Sequence, residues 1–258
     1  MNSHQLIELV KETLEHNGQS VEAEIAQMEH IQNIHKRKYE NRTFSFNEHI
    51  RGLVLSLLTS NNKNWRNIER NKVKITELFF NFKKENILAT NPNYFTAGLF
   101  KLKCGSISTN RQMEVLHYNI KMLERIDEEN GGLDVYVTSK SPCSVAKEIS
   151  IGKYKLKQVG YPLAFEYLRN VGIDEVKPDR HIMRVLSEDR LGYLQLNSTE
   201  DEAIKVLSTI SDEVGVSKAY LDALLWIFCA DNYGEICTKV PKCNSCKLNE
   251  HCRVAKAV

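Results

Sequence analysis

The chain has 258 residues, 42% of them apolar, and is long enough to bury one large core or two modest ones. Its longest apolar run, ALLWIFCA at 223–230, is far below the ~18 residues of a membrane span, and the polar start MNSHQLIELVKETLEHNG lacks the features of a secretory signal, so a cytoplasmic protein without membrane contact is expected. Charge is balanced, 35 basic against 33 acidic residues for a net +2, and seven cysteines, an odd number, argue against a disulfide framework.

Helical periodicity runs the length of the chain. Residues 61–74, NNKNWRNIERNKVK, carry five basic groups against one acidic, as either a solvated helix face or a polyanion-facing surface would. Turn signals follow at Asn91-Pro92, Asn130-Gly131-Gly132 and Ser141-Pro142. Between them Met113, Leu116, Ile120 and Leu123 recur at helical spacing. The best strand-like run, YVTS at 136–139, is short. Thr199 with Glu202 reads as a capping box before Ile204, Leu207 and Ile210, and Ser217 opens a helix through Leu221, Leu224, Leu225 and Phe228. These readings predict an all-α protein of ten or more helices.

Residues 155–186 read KLKQVGYPLAFEYLRNVGIDEVKPDRHIMRVL. LKQVG is expected to end one helix, and a second, with Ala164, Tyr167, Leu168 and Val171 on one face, to begin at once near Pro162, whose missing N–H is tolerated in a first turn. Gly160 is expected to supply the permissive backbone of a tight helix–helix turn. Such a turn aims backbone N–H groups at one point beside a helix N-terminus, a ready phosphate site. Nineteen residues past Gly160 comes Lys177-Pro178-Asp179-Arg180-His181 before apolar Ile182, Val185 and Leu186. Asp179 is a natural N-cap there.

Near the end stands CTKVPKCNSCKLNEHC, with Cys237, Cys243, Cys246 and Cys252 spaced C-x5-C-x2-C-x5-C. Four thiolates suit either a tetrahedral zinc or a four-iron cluster. One short pair flanked by two longer arcs wraps something larger than a single ion, and the spacing leaves both open. Lys239, Lys242, Lys247 and Arg253 make the same loops cationic. Cys104, Cys143 and Cys229 are scattered and read as ordinary thiols.

Together the hairpin, the later aspartate and the cysteine loop resemble the helix-hairpin-helix DNA glycosylases of the endonuclease III family, over about residues 44–252. LVLSLLTSNNKNW at 53–65 resembles the helix and polar loop which that family pushes into the duplex. Ala97-Gly98-Leu99-Phe100 and Asn110-Arg111-Gln112 resemble pieces of a second wedge loop, interrupted here by an insertion. The resemblance implies two helical domains with a cleft between them: a six-helix domain at 44–173, and a cluster domain formed by 1–43 together with 174–258. It implies a [4Fe-4S] cluster on the four cysteines, with zinc the alternative, although the family's first cysteine interval is one residue longer than here. It implies a monomer acting on double-stranded DNA, at the nucleoid in a prokaryote. Lys157, Gln158, Val159 and Gly160 would then bind a phosphate, and Asn61 and Asn62 would fill the space left by a flipped base.

Asp179 would be the catalytic carboxylate, stabilising the sugar cation as the glycosidic bond breaks. Bifunctional relatives carry a lysine at the start of the hairpin's second helix, whose amine attacks the sugar. This chain has Gly160-Tyr161-Pro162-Leu163 there, so a monofunctional glycosylase is expected, with Tyr161 lining the base pocket or simply packing. The adenine-specific branch is not expected, because six residues follow the last cysteine. Competing readings are a DNA-binding protein without turnover, a bifunctional enzyme using a displaced lysine, and a zinc-bound helical regulator.

Overall fold

The computed structural model describes residues 1–61 and 65–256. Seventeen α-helices and three short 3-10 helices make up its regular structure, with no strand among the described residues. The all-α expectation holds. No helix among the described residues is long and apolar enough to cross a membrane. The chain divides into two compact units, one of Met1–Gln32 with Asp174–Val258, the other Asn33–Ile173. The boundary falls inside the helix Glu29–Glu40.

The first unit closes around the helix Lys218–Cys229, which buries Leu221, Ala223, Leu224, Leu225, Ile227 and Phe228 and so accounts for the long apolar run. Ser217 caps it, accepting from the backbone N–H of Tyr220. Against it lie Glu200–Val214, opened by the Thr199–Glu202 capping box, and Ser3–His16, which buries Leu6, Val10 and Leu14. Each such aliphatic side chain contributes about 1.5–3 kcal/mol on burial.

The second unit is built on Phe46–Leu58, which buries Ile50, Leu53, Val54 and Leu57 and packs on Tyr161–Asn170. Gly52 permits the close approach: a Cβ there would meet Val171 Cγ1 at 3.0 Å and Tyr167 Cδ2 at 3.7 Å. Buried His49 and Tyr167 join these helices through Nδ1 and Oη at 2.6 Å. His49 Nε2 lies 3.5 Å from Asp134, which Arg37 also grips through both terminal nitrogens. Arg37 Nε donates to the carbonyl of Val171 at 3.0 Å, tying the start of this unit to the end of the helix Tyr161–Asn170. Residues 33–43 thus belong to this unit, whereas the sequence placed the domain's start at 44.

Two local expectations are corrected. YVTS lies in the helix Leu133–Ser139, whose buried Leu133, Tyr136 and Val137 follow helical spacing; that period outweighs the β preference of a four-residue run. The helix before the hairpin ends at Ser150, not within LKQVG, and 151–160 is an irregular turn.

Candidate functional site

Leu156 and Val159 anchor the hairpin turn in the core of the second unit, while Lys157, Gln158 and Gly160 are exposed. Asn119, itself fully buried, holds the Lys157 backbone on both sides of its Cα: its Oδ1 accepts from Lys157 N at 2.7 Å and its Nδ2 donates to Lys157 O at 2.9 Å. Gln158 takes the left-handed conformation, φ 61°. Gly160 does not: at φ −85°, ψ 175° its backbone is extended, which any residue adopts. Packing does not demand the glycine either, since nothing stands within 4 Å of where its Cβ would be and that side of the turn is open. Pro162 lies in the first turn of Tyr161–Asn170 as expected, and no side chain caps that helix. An uncapped N-terminus beside an open glycine is chemically suited to an anion.

Tyr161 is half-buried, edge-on to Phe165 at 5.0 Å, with the Lys147 ammonium 5.9 Å from its ring. No lysine occupies the first turn of this helix. The two lysines just upstream are both engaged: Lys157 Nζ sits 4.1 Å from the Tyr118 ring, and Lys155 Nζ donates to the carbonyls of Ser150 and Val159.

Asn61, exposed and left-handed at φ 55°, follows the helix Phe46–Leu58. Its Nδ2 donates to Ser108 Oγ at 2.8 Å, and Ser106 Oγ donates to the Ser60 carbonyl at 3.1 Å, so the 101–109 insertion lies along this loop. At its tip Ile107 is 91% exposed. Asn62 lies outside the described residues. The pieces read as a second wedge loop are helical instead: Ala97–Phe100 falls in Pro92–Lys101, with Gly98 packed on Leu78, and Asn110–Gln112 falls in Thr109–Glu114. Of these residues only Leu99 and Gln112 are buried; Ala97, Phe100, Asn110 and Arg111 stay exposed on the helices.

In the first unit Asp179 is the N-cap of Arg180–Leu186. Its Oδ1 accepts from the N–H groups of His181 at 2.8 Å and Ile182 at 3.3 Å. Its Oδ2 lies 3.8 Å from Lys177 Nζ, and the side chain is 16% exposed. Lys177 is fixed in turn, its N–H donating to buried Asp222 at 2.8 Å. Burial pushes His181 below the usual histidine range. Its Nδ1 accepts from Arg184 Nη2 at 3.0 Å, and Arg184 Nε donates to the carbonyl of Cys237 at 3.0 Å.

Cys237 and Cys252 are buried, Cys243 and Cys246 half-buried. Cys246 lies within electrostatic range of the other three, and burial pushes its thiol up to about 11. Cys237 is lowered to about 7, first by a hydrogen bond with Cys229 and then, against burial, by Arg190 and Arg184. Arg190 Nη1 stands 3.8 Å from its Sγ. The neighbours Cys229 and Arg190 escaped the sequence reading, because a single cysteine at the end of an apolar helix carries no spacing signal. Four soft thiols are donor chemistry that suits an iron–sulfur cluster or a zinc ion, and buried Arg190 stands beside one of them, Cys237. Yet among the described residues no three histidine, cysteine or acidic side chains stand together as ligands of one metal ion.

The sequence matches no known protein family and no curated protein. Two solved structures match the fold. One is a Methanocaldococcus jannaschii 8-oxoguanine glycosylase/lyase in complex with a 15mer DNA containing 8-oxoguanine, with TM-score 0.56 and 20% identity over 87% of this chain and 96% of that one. The other is the 8-oxoguanine DNA glycosylase of the same organism, with TM-score 0.56 and 22% identity over 88% of this chain and 97% of that one. The chain therefore shares the all-helical fold of these archaeal DNA glycosylases.

Proposed function

We propose that this protein is a monomeric DNA glycosylase that flips an altered base from duplex DNA and hydrolyses its N-glycosidic bond, with Asp179 as the catalytic carboxylate. One observation carries the reading: in a fold shared with DNA glycosylases, Asp179 is held rigidly by two backbone N–H groups through one oxygen, while the other, 3.8 Å from the Lys177 ammonium, keeps its charge for electrostatic work. Breaking the glycosidic bond builds positive charge on the sugar, which a fixed, partly desolvated carboxylate stabilises. Unstacking the target base costs a few kcal/mol, which backbone contacts must offset. The turn at 157–160 supplies the N–H groups of Gln158 and Gly160 and the exposed Lys157 for one phosphate, and Asn61 beside exposed Ile107 presents a polar and an apolar tip to the vacated stack.

In this reading Cys237, Cys243, Cys246 and Cys252 would hold a [4Fe-4S] cluster, zinc being the lesser alternative. The cluster would brace the cationic loop and take no part in bond cleavage.

The reaction is proposed to be monofunctional. The first turn of Tyr161–Asn170 has tyrosine and proline and no amine, and Lys155 and Lys157 both have partners. The M. jannaschii neighbour is described as a glycosylase/lyase, so the alternative is specific. Duplexes carrying oxidised guanine, uracil, alkylated and mispaired bases should be assayed for base release with and without alkali. Release revealed only by alkali is expected. A covalent adduct trapped by borohydride at the rate of base release would overturn the monofunctional assignment, and no release from any duplex would overturn the enzyme.

A further inference from the structure

The last four carbonyls of a helix have no partner within it. In Pro142–Ser150 the turn that follows answers three of them with backbone N–H groups: Ile151 and Gly152 donate to Lys147 O, Tyr154 to Glu148 O and Leu156 to Ile149 O. The fourth, on buried Ser150, is met by the ammonium of Lys155. The same ammonium donates to the carbonyl of buried Val159 at 2.9 Å. One cation therefore bridges the two ends of the loop, from the last residue of the helix to the residue before Gly160. Among the described residues no carboxylate is paired with it, and its environment is main-chain oxygen at the negative end of a helix dipole. Carbonyl oxygens arranged around a single positive charge also suit a bare monovalent cation.

We propose that Lys155 is a tethered cation: its ammonium fills a carbonyl-lined position that would otherwise take K⁺ or Na⁺, and so fixes the turn that offers residues 158–160 to a phosphate. The DNA part of this inference rests on the proposed function; the cation part does not. A methylene chain on the same loop makes the charge permanently local, so the turn keeps its shape at any salt composition. Removing the side chain beyond Cβ leaves two buried acceptors and space for an ion.

The test compares the wild type with Lys155→Ala, which opens the position, and Lys155→Met, which fills it without charge. Each is measured in KCl and in tetramethylammonium chloride at equal ionic strength, by thermal unfolding without DNA and by affinity for a duplex with an abasic-site analogue. The wild type is expected to be indifferent to the cation. Lys155→Ala should lose about 4 °C and about tenfold in affinity in the bulky cation, the scale of lost charge-assisted hydrogen bonds, and recover most of both in KCl. Lys155→Met should stay low in both. Thallium-205 NMR should show a bound signal with Lys155→Ala and none with the wild type. A Lys155→Ala protein that ignores the cation's identity, or equals the wild type in tetramethylammonium, overturns the tethered cation. A wild type without affinity for duplex DNA would remove the functional reading while the thermal and thallium measurements still decide this one.

Discussion

Asp179 divides its two oxygens between structure and the proposed chemistry, and a single substitution separates them. Asparagine caps a helix as well as aspartate, so Asp179→Asn should keep the helix Arg180–Leu186 and DNA affinity while base release falls on the order of 10²–10³-fold. Single-turnover assays beside binding measurements check this; loss of both together would make Asp179 a structural residue. A second residue-scale prediction concerns acid. Burial disfavours the Asp134 charge, but hydrogen bonds with His49 and Arg37 and the arginine's charge hold it well below the usual carboxylate range. Burial also holds His49 below 6.5. Both groups bind protons more readily in the unfolded chain, so both contribute stability that is present above their unfolded values, about 6.5 and 3.9, and is lost as pH falls. Melting temperature should therefore fall in two stages, below about pH 6.5 and again below about pH 4. Asp134→Asn should shrink the second stage, to which other paired carboxylates such as Glu129 also contribute, and cost about 2 kcal/mol, since it leaves Arg37 without its carboxylate.

At the scale of the element, the hairpin turn is held less by its glycine than by a residue thirty-eight positions upstream. Asn119→Ala removes both hydrogen bonds to the Lys157 backbone and should cost about 2 kcal/mol, with weaker DNA binding and faster amide exchange confined to 151–160. Exchange unchanged there would show that Leu156 and Val159 suffice to hold the turn. Elements set by neighbours in sequence were legible beforehand: Thr199 with Glu202, Ser217 and Asp179 all cap where their i to i+3 pattern places them. Elements whose state depends on what packs against them were not. YVTS lacks any local mark of the core that Tyr136 and Val137 enter, and the Ala97–Phe100 segment shows no sign in sequence that Leu78 closes over Gly98.

At the scale of the molecule, the first unit joins residues 1–32 with 174–258, and its cysteine loop is pinned to the helix Ser3–His16 and to the segment after Arg180–Leu186. Lys247 N donates to Thr13 Oγ1 at 3.0 Å, and Arg253 N to the carbonyl of Arg190 at 3.0 Å. A ligand on the four thiols would stabilise this unit as a whole by linkage. Protein purified without oxygen should be brown, with about four iron and four sulfide per chain, and Cys246→Ser should lose both and melt several degrees lower. Colourless protein with stoichiometric zinc would replace the cluster by a single ion. Composition, periodicity and spacing by themselves determined that the chain is helical, where several helices begin, and that four thiols cluster near residue 245, because each is written within a few consecutive residues; the choice of Asp179 came from the family resemblance. Only tertiary structure decided that Cys229 and Arg190 attend Cys237, that Asn119 and Lys155 hold the hairpin, and that Asn61 meets the insertion. Those contacts depend on where the chain returns after a turn, and no periodic pattern records a return path.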